Sequence, residues 1–135
     1  GLSVAEALDI AIRAHERRSG GAVERRFRAA DLPPGPAPHP FLICIYRFVQ
    51  EGLMNAFRHA PGARVSVGAE QGAAGIVIRV QDEGPGFDAA RRDRSGLGLA
   101  GLRERVESIG GSFGIESRPQ GGTHLAMTLP LEPPR

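Results

Sequence analysis

The chain has 135 residues, 41% of them hydrophobic, with a formal charge of +2 and a pI near 9.5. That length suits one domain of ordinary size, and the small charge, with arginines mixed among acids, argues against nucleic-acid binding. All 17 basic residues are arginine, which excludes a Walker A or Schiff-base lysine.

Ser3 and Glu6 form a capping box, predicting a helix from there to about Arg18. Val4, Leu8, Ala11 and Ile12 give it an apolar face, and Ser19-Gly20-Gly21 ends it. Charges run through this segment, so it does not read as a signal peptide. Ala22 to Arg28 alternates as a strand, with Val23 and Phe27 on one side. The five prolines between Asp31 and Pro40 require an irregular connection, and Pro40 suits the first turn of the next helix.

That helix is expected over about Phe41 to His59. Phe41, Ile45, Phe48, Val49, Gly52, Leu53 and Ala56 lie on one side, and Arg47, Glu51, Asn55 and Arg58 on another. Its first apolar run, Phe41 to Tyr46, is far too short to span a membrane. The single cysteine, Cys44, sits in that run and reads as a buried thiol. With no internal disulfide possible, a reducing cytoplasm is the expected location.

Arg64 to Glu70 and Gly75 to Asp82 read as strands joined by a Gln-Gly-Ala-Ala turn. Ile76, Ile78 and Val80 face one way, as in an antiparallel sheet covered on one side. Leu99, Leu102, Val106 and Ile109 form the stripe of a third helix, closed by Gly110-Gly111. Ser112 to Arg118 and Thr123 to Leu129 complete a hairpin, with Leu125, Met127 and Leu129 inward, before the tail Glu132 to Arg135. The expected architecture is α+β: a single domain of three helices on one face of a mixed, mostly antiparallel sheet.

Four segments carry chemistry. Glu51 and Asn55 lie one helical turn apart, a carboxylate beside a carboxamide oxygen able to ligate magnesium; a solvated helix face accounts for the pair equally. Asp82 ends a strand and is followed by Gly84 and Gly86. Its carboxylate can accept a hydrogen bond from the exocyclic amine of adenine while the glycines let backbone approach a ligand, and a plain turn is the competing reading. Gly96, Gly98 and Gly101 precede or open the third helix, where exposed amides and the helix dipole attract phosphate. No hydrophobic parallel strand leads into them, which disfavours a dinucleotide-binding reading. Gly121-Gly122-Thr123 opens the last strand, as a hairpin turn also would. Arg91, Arg92 and Arg94, between the glycine clusters, suit phosphate contacts or a solvated loop. The four histidines, His15, His39, His59 and His124, lack zinc-ligand spacing.

In this order, with 27 positions from Asn55 to Asp82, 10 from Gly86 to Gly96 and 20 from Gly101 to Gly121, the segments resemble the nucleotide-binding boxes of the GHKL ATPases, over nearly the whole chain. The nearest likeness is to the catalytic domain of bacterial sensor histidine kinases of the nitrate-sensor and DesK-like subgroup. The resemblance implies the Bergerat fold, a two-layer sandwich that binds ATP and Mg2+. It gives Asn55 as the magnesium ligand, Glu51 as the catalytic base or water-orienting group, and Asp82 as the adenine anchor. Arg58, His59, Gly84, Gly86, Gly96, Leu97, Gly98, Leu99, Gly101 and Thr123 complete the implied ATP site. Glu83 stands where many relatives have Asn or Asp. The implied reaction moves the γ-phosphate of ATP to a histidine on a separate dimerisation domain, with a response regulator as indirect partner. No phosphoacceptor hairpin precedes the fold, so the chain reads as the C-terminal part of a longer kinase, without membrane contact of its own. A free-standing anti-sigma-factor serine kinase and a non-catalytic docking module are the alternatives.

Overall fold

A computed structural model describes residues 1–86 and 99–130. Helix α1, Val4–Ser19, starts at the expected capping box: the Ser3 Oγ accepts from the Glu6 amide at 3.2 Å, and the Glu6 carboxylate accepts from the Ser3 amide at 3.0 Å. It stops at Gly20, which takes a left-handed conformation (φ 74°) that costs glycine nothing. Helix α2, His39–His59, begins with Pro40 in its first turn, where a missing amide hydrogen is no loss. Helix α3 spans Ala100–Ser108.

The strands are β1 (Glu24–Arg26), β2 (Val65–Gly72), β3 (Gly75–Asp82), β4 (Ser112–Ser117) and β5 (Thr123–Leu129). They form a sheet of order β1-β2-β3-β5-β4 in which only the β1–β2 pairing is parallel. The architecture is therefore as expected, with two local corrections. The strand read over Ala22 to Arg28 keeps only three residues, because the Val23 amide donates to the Glu16 carboxylate at 2.9 Å. After Phe27 the chain turns into a 3-10 segment, in which the Asp31 amide donates to the Arg28 carbonyl. The second correction is at the β2–β3 turn. The strands pair through Gly72 and Gly75, so the turn is only Ala73-Ala74 rather than four residues.

The core lies between helices and sheet. Leu8 and Ile12 of α1, Phe41, Ile45, Phe48 and Leu53 of α2, and Val67, Ile78, Met127 and Leu129 of the sheet are fully buried. Each such side chain contributes about 1.5–3 kcal/mol on burial. Leu99, Leu102 and Val106 bring α3 onto the same core, and Phe113 of β4 meets the Phe48 ring edge-on at 5.7 Å between centroids. Cys44 is buried there, its pKa raised by desolvation. No described helix is long and apolar enough to cross a membrane.

Two close approaches fix how α2 crosses β3. A Cβ added to Gly52 would stand 3.0 Å from the Val80 side chain, and one added to Gly84 would overlap the Ala60 methyl. From Gly52 to Ala60 the helix thus tracks β3 from Val80 past its end at Asp82. Asn55 lies between the two contacts.

Candidate functional site

Strand alternation places the end of β3. Ile76, Ile78 and Val80 are buried on the helix side, and the period of two carries Asp82 onto that side. Asp82 is half-buried and pairs with Val65 of β2 and Thr123 of β5. Its Oδ1 accepts from the Gly84 amide at 2.9 Å. Among the described residues no hydrogen bond reaches Oδ2. The loop thus holds the carboxylate in place and leaves one oxygen as an acceptor.

Backbone segments pack closely at the end of β3 because three positions lack a side chain. A Cβ on Gly84 would overlap Ala60 at the end of α2. One on Gly86 would overlap the Arg118 carbonyl, and one on Gly122 the Asp82 carbonyl. Gly122 also has φ 79°, in the left-handed region. The Gln120 amide donates to the Pro85 carbonyl, tying the β4–β5 turn to the loop after β3, and the Glu83 amide donates to the Arg64 carbonyl at 2.9 Å. Close backbone contact, rather than turn geometry alone, explains the glycines at 84, 86 and 122.

Asn55 is 7% exposed, an unusual burial for a carboxamide on a helix. Glu51 is half-buried one turn earlier. Arg58 and His59, three and four residues after Asn55, are exposed in the last turn of α2, where positive charge also complements the helix dipole. Thr123 sits directly across from Asp82, on the same side of the sheet by alternation with buried Leu125, Met127 and Leu129.

Leu99 is the residue before α3 and is buried in the core. Gly101 is exposed in the first turn, and a Cβ added there would meet none of the described residues within 4 Å. The start of α3 has no side-chain cap, so its first amides are not satisfied in that way. Gly96, Leu97 and Gly98, the arginines Arg91, Arg92 and Arg94, and the tail Glu132 to Arg135 lie outside the described residues.

The geometry therefore brings Asp82, Gly84, Gly86 and Thr123 together at the end of β3, with Asn55 buried on the stretch of α2 between the Gly52 and Ala60 contacts. It adds one residue that sequence reasoning missed. Ser117 of β4 pairs with Thr123, its Oγ 3.0 Å from Thr123 Oγ1 and 3.2 Å from the Gly122 carbonyl. Its only sequence signal is its place in the inward row with Phe113 and Ile115.

Residues 43–133 match the model of a family described as histidine kinase-, DNA gyrase B- and HSP90-like ATPase. The chain is 32% identical over 94 residues to the signal transduction histidine-protein kinase/phosphatase DegS of Brevibacillus brevis, a match covering 70% of this chain and 24% of that protein. It is 33% identical over 101 residues to the sensor protein VraS of Staphylococcus epidermidis, covering 75% of this chain and 28% of that one. The chain thus spans about a quarter of the length of these curated relatives. Among solved structures, the mycobacterial sensor histidine kinase MprB superposes with a TM-score of 0.71 at 24% identity, covering 98% of this chain and 97% of that one. The histidine kinase domain of the Erythrobacter litoralis EL346 blue-light activated kinase gives 0.71 at 20% identity, over 96% of this chain and 62% of that one. These two likenesses concern the fold. With the family match extending over more than half of its length, the chain belongs to the histidine kinase-, DNA gyrase B- and HSP90-like ATPase family, as an ATP-binding domain whose relatives include sensor histidine kinases.

Proposed function

We propose that this domain binds Mg-ATP in the cleft at the end of β3. It presents the γ-phosphoryl group to a histidine on a separate dimerisation domain, and a response regulator then receives the group. The reading places the domain in the cytoplasm, where ATP is. One observation carries it: at the end of β3 a carboxylate is held by the Gly84 amide through one oxygen and open at the other, where side-chain-free positions let backbone segments close together.

Each residue then has a task. Asp82 Oδ2 accepts from the exocyclic amine of adenine, which guanine lacks at that position. Gly84, Gly86 and Gly122 let the loop after β3 and the β4–β5 turn pack closely enough to shape the floor on which the base rests. Thr123 adds a hydroxyl beside the carboxylate. The amides at the start of α3 face phosphate oxygens with the helix dipole behind them, and Gly101 keeps that approach open. Asn55 would supply a hard oxygen to magnesium that is also held by the nucleotide's phosphates. Bound magnesium would neutralise charge on the transferring phosphoryl group. Glu51, one turn from Asn55, orients water or accepts a proton, while Arg58 and His59 extend positive charge toward the phosphates.

Calorimetry with ATP and GTP, with and without magnesium, tests this reading. We expect adenine-selective, magnesium-dependent binding that Asp82→Asn abolishes. With the variant's amide oxygen held by the Gly84 N–H, its NH2 group would face the adenine amine, donor against donor. Equal affinity for the two nucleotides, or an Asp82→Asn protein that binds ATP like wild type, would refute it.

A further inference from the structure

Thr123 is flanked on both sides in the sheet, since β5 lies between β3 and β4. Asp82 is opposite it on one strand and Ser117 on the other. A serine hydroxyl has one proton. The Gly122 carbonyl, 3.2 Å from Ser117 Oγ, can only accept, so the serine proton goes there. The 3.0 Å contact between the two hydroxyls must then run from Thr123 to Ser117. The threonine proton is therefore committed on the side away from Asp82. Toward the end of β3, Thr123 shows lone pairs only.

We propose that Ser117 is a positioning residue that sets purine selectivity: by accepting the Thr123 proton, it keeps Thr123 and Asp82 as two adjacent acceptors for the exocyclic amine of adenine. The inference rests on the nucleotide reading above. An amine offers two donors to such a pair, directly or through a water. The O6 of guanine offers none and meets acceptors. Without Ser117, the Thr123 proton is released and can turn toward the end of β3, the side on which Asp82 stands opposite it in the register. Turned that way, the hydroxyl presents a donor where the adenine amine needs an acceptor, and the O6 of guanine meets the donor it previously lacked.

The test is the ratio of ATP to GTP affinity, measured by calorimetry in magnesium, for the wild-type chain and for Ser117→Ala, Ser117→Thr and Thr123→Val. Ser117→Ala should lower the ratio roughly three- to tenfold, the range of one net hydrogen bond. Ser117→Thr, which keeps the hydroxyl, should hold the wild-type ratio. Thr123→Val should lower the ratio as well, and adding Ser117→Ala to it should change nothing further. A purely structural role would weaken both nucleotides alike and leave the ratio intact. An adenine-selective wild type whose ratio survives Ser117→Ala, or survives Thr123→Val if the alanine variant does not fold, overturns this inference alone. A wild type with no adenine preference overturns the nucleotide reading and this inference with it.

Discussion

At the residue scale, the glycines divide into two kinds, and the division predicts opposite effects of the same substitution. Gly84 is required by the protein itself, because a methyl there overlaps Ala60. Overpacking of this sort costs about 1–3 kcal/mol, so Gly84→Ala should lower both the melting temperature and ATP affinity. Among the described residues a Cβ on Gly101 would meet nothing within 4 Å, and this glycine lies in the first turn of a helix. Gly101→Ala should therefore raise stability by up to about 1 kcal/mol while ATP affinity falls, since the methyl would occupy the phosphate approach. Thermal melts and nucleotide titrations on both variants decide this. A Gly101→Ala protein that is more stable and binds ATP normally would remove that glycine from the site. The same comparison shows what sequence alone conveys. It singled out Asp82, Gly84 and Gly86, yet could not separate a turn from a cradle, because Ala60 and Arg118 approach only through tertiary packing. Ser117 stayed hidden for a similar reason: its hydroxyl gains meaning from a register partner on another strand.

At the element scale, helical and strand periodicities were legible nearly residue for residue. The limits of β5 follow from Leu125, Met127 and Leu129, and α1 from its capping box. The error at β1 has an electrostatic cause, for Glu16 of α1 takes the Val23 amide and also pairs with Arg25 at 3.1 Å. The Arg25 guanidinium, and then the Val23 amide, hold the Glu16 carboxyl below its ordinary pKa. A depressed carboxyl pKa means that the unfolded chain takes up protons first as pH falls. This stabilisation is complete above the unfolded carboxylate value and is lost as pH drops through the folded one. Partial exposure of both side chains limits the pair to about 1 kcal/mol or less. Glu16→Gln should thus be less stable than wild type at pH 7, with the two curves converging below about pH 4. His15 adds a separate acid sensitivity. Burial lowers its pKa, so its contribution is lost from below its ordinary value of 6.5 downward, a window distinct from that of Glu16. Denaturant unfolding of both proteins across pH 3 to 8 is the measurement; a constant gap down to pH 3 would show that the Glu16–Arg25 tie is not what holds β1.

At the scale of the whole molecule, the cleft is a matter of spacing between two layers, and Gly52 sets it where α2 crosses β3. A methyl at Gly52 would lie 3.0–3.1 Å from three atoms of the Val80 side chain, tight enough that the valine must give by a few tenths of an ångström, and with its Cβ among the three the strand gives with it. Asn55 is one turn further along α2 and Asp82 two residues further along β3, so the shift is transmitted to both. Stability gives a weaker signal than function here. Alanine gains up to about 1 kcal/mol over glycine inside a helix, which offsets part of the packing cost. Gly52→Ala should therefore melt within a few degrees of wild type yet bind Mg-ATP severalfold more weakly, because in the proposed site Asn55 and Asp82 cannot both meet the nucleotide when their separation changes. Trimming the opposing side chain should reverse the loss: Gly52→Ala combined with Val80→Ala restores room between the layers, at the stability cost of a truncated core valine. Affinity that recovers in the double variant while stability falls would separate spacing from stability as the determinant of binding. If Gly52→Ala binds as wild type does, the distance between α2 and β3 does not govern the cleft, and the pairing of Asn55 with Asp82 loses its geometric basis.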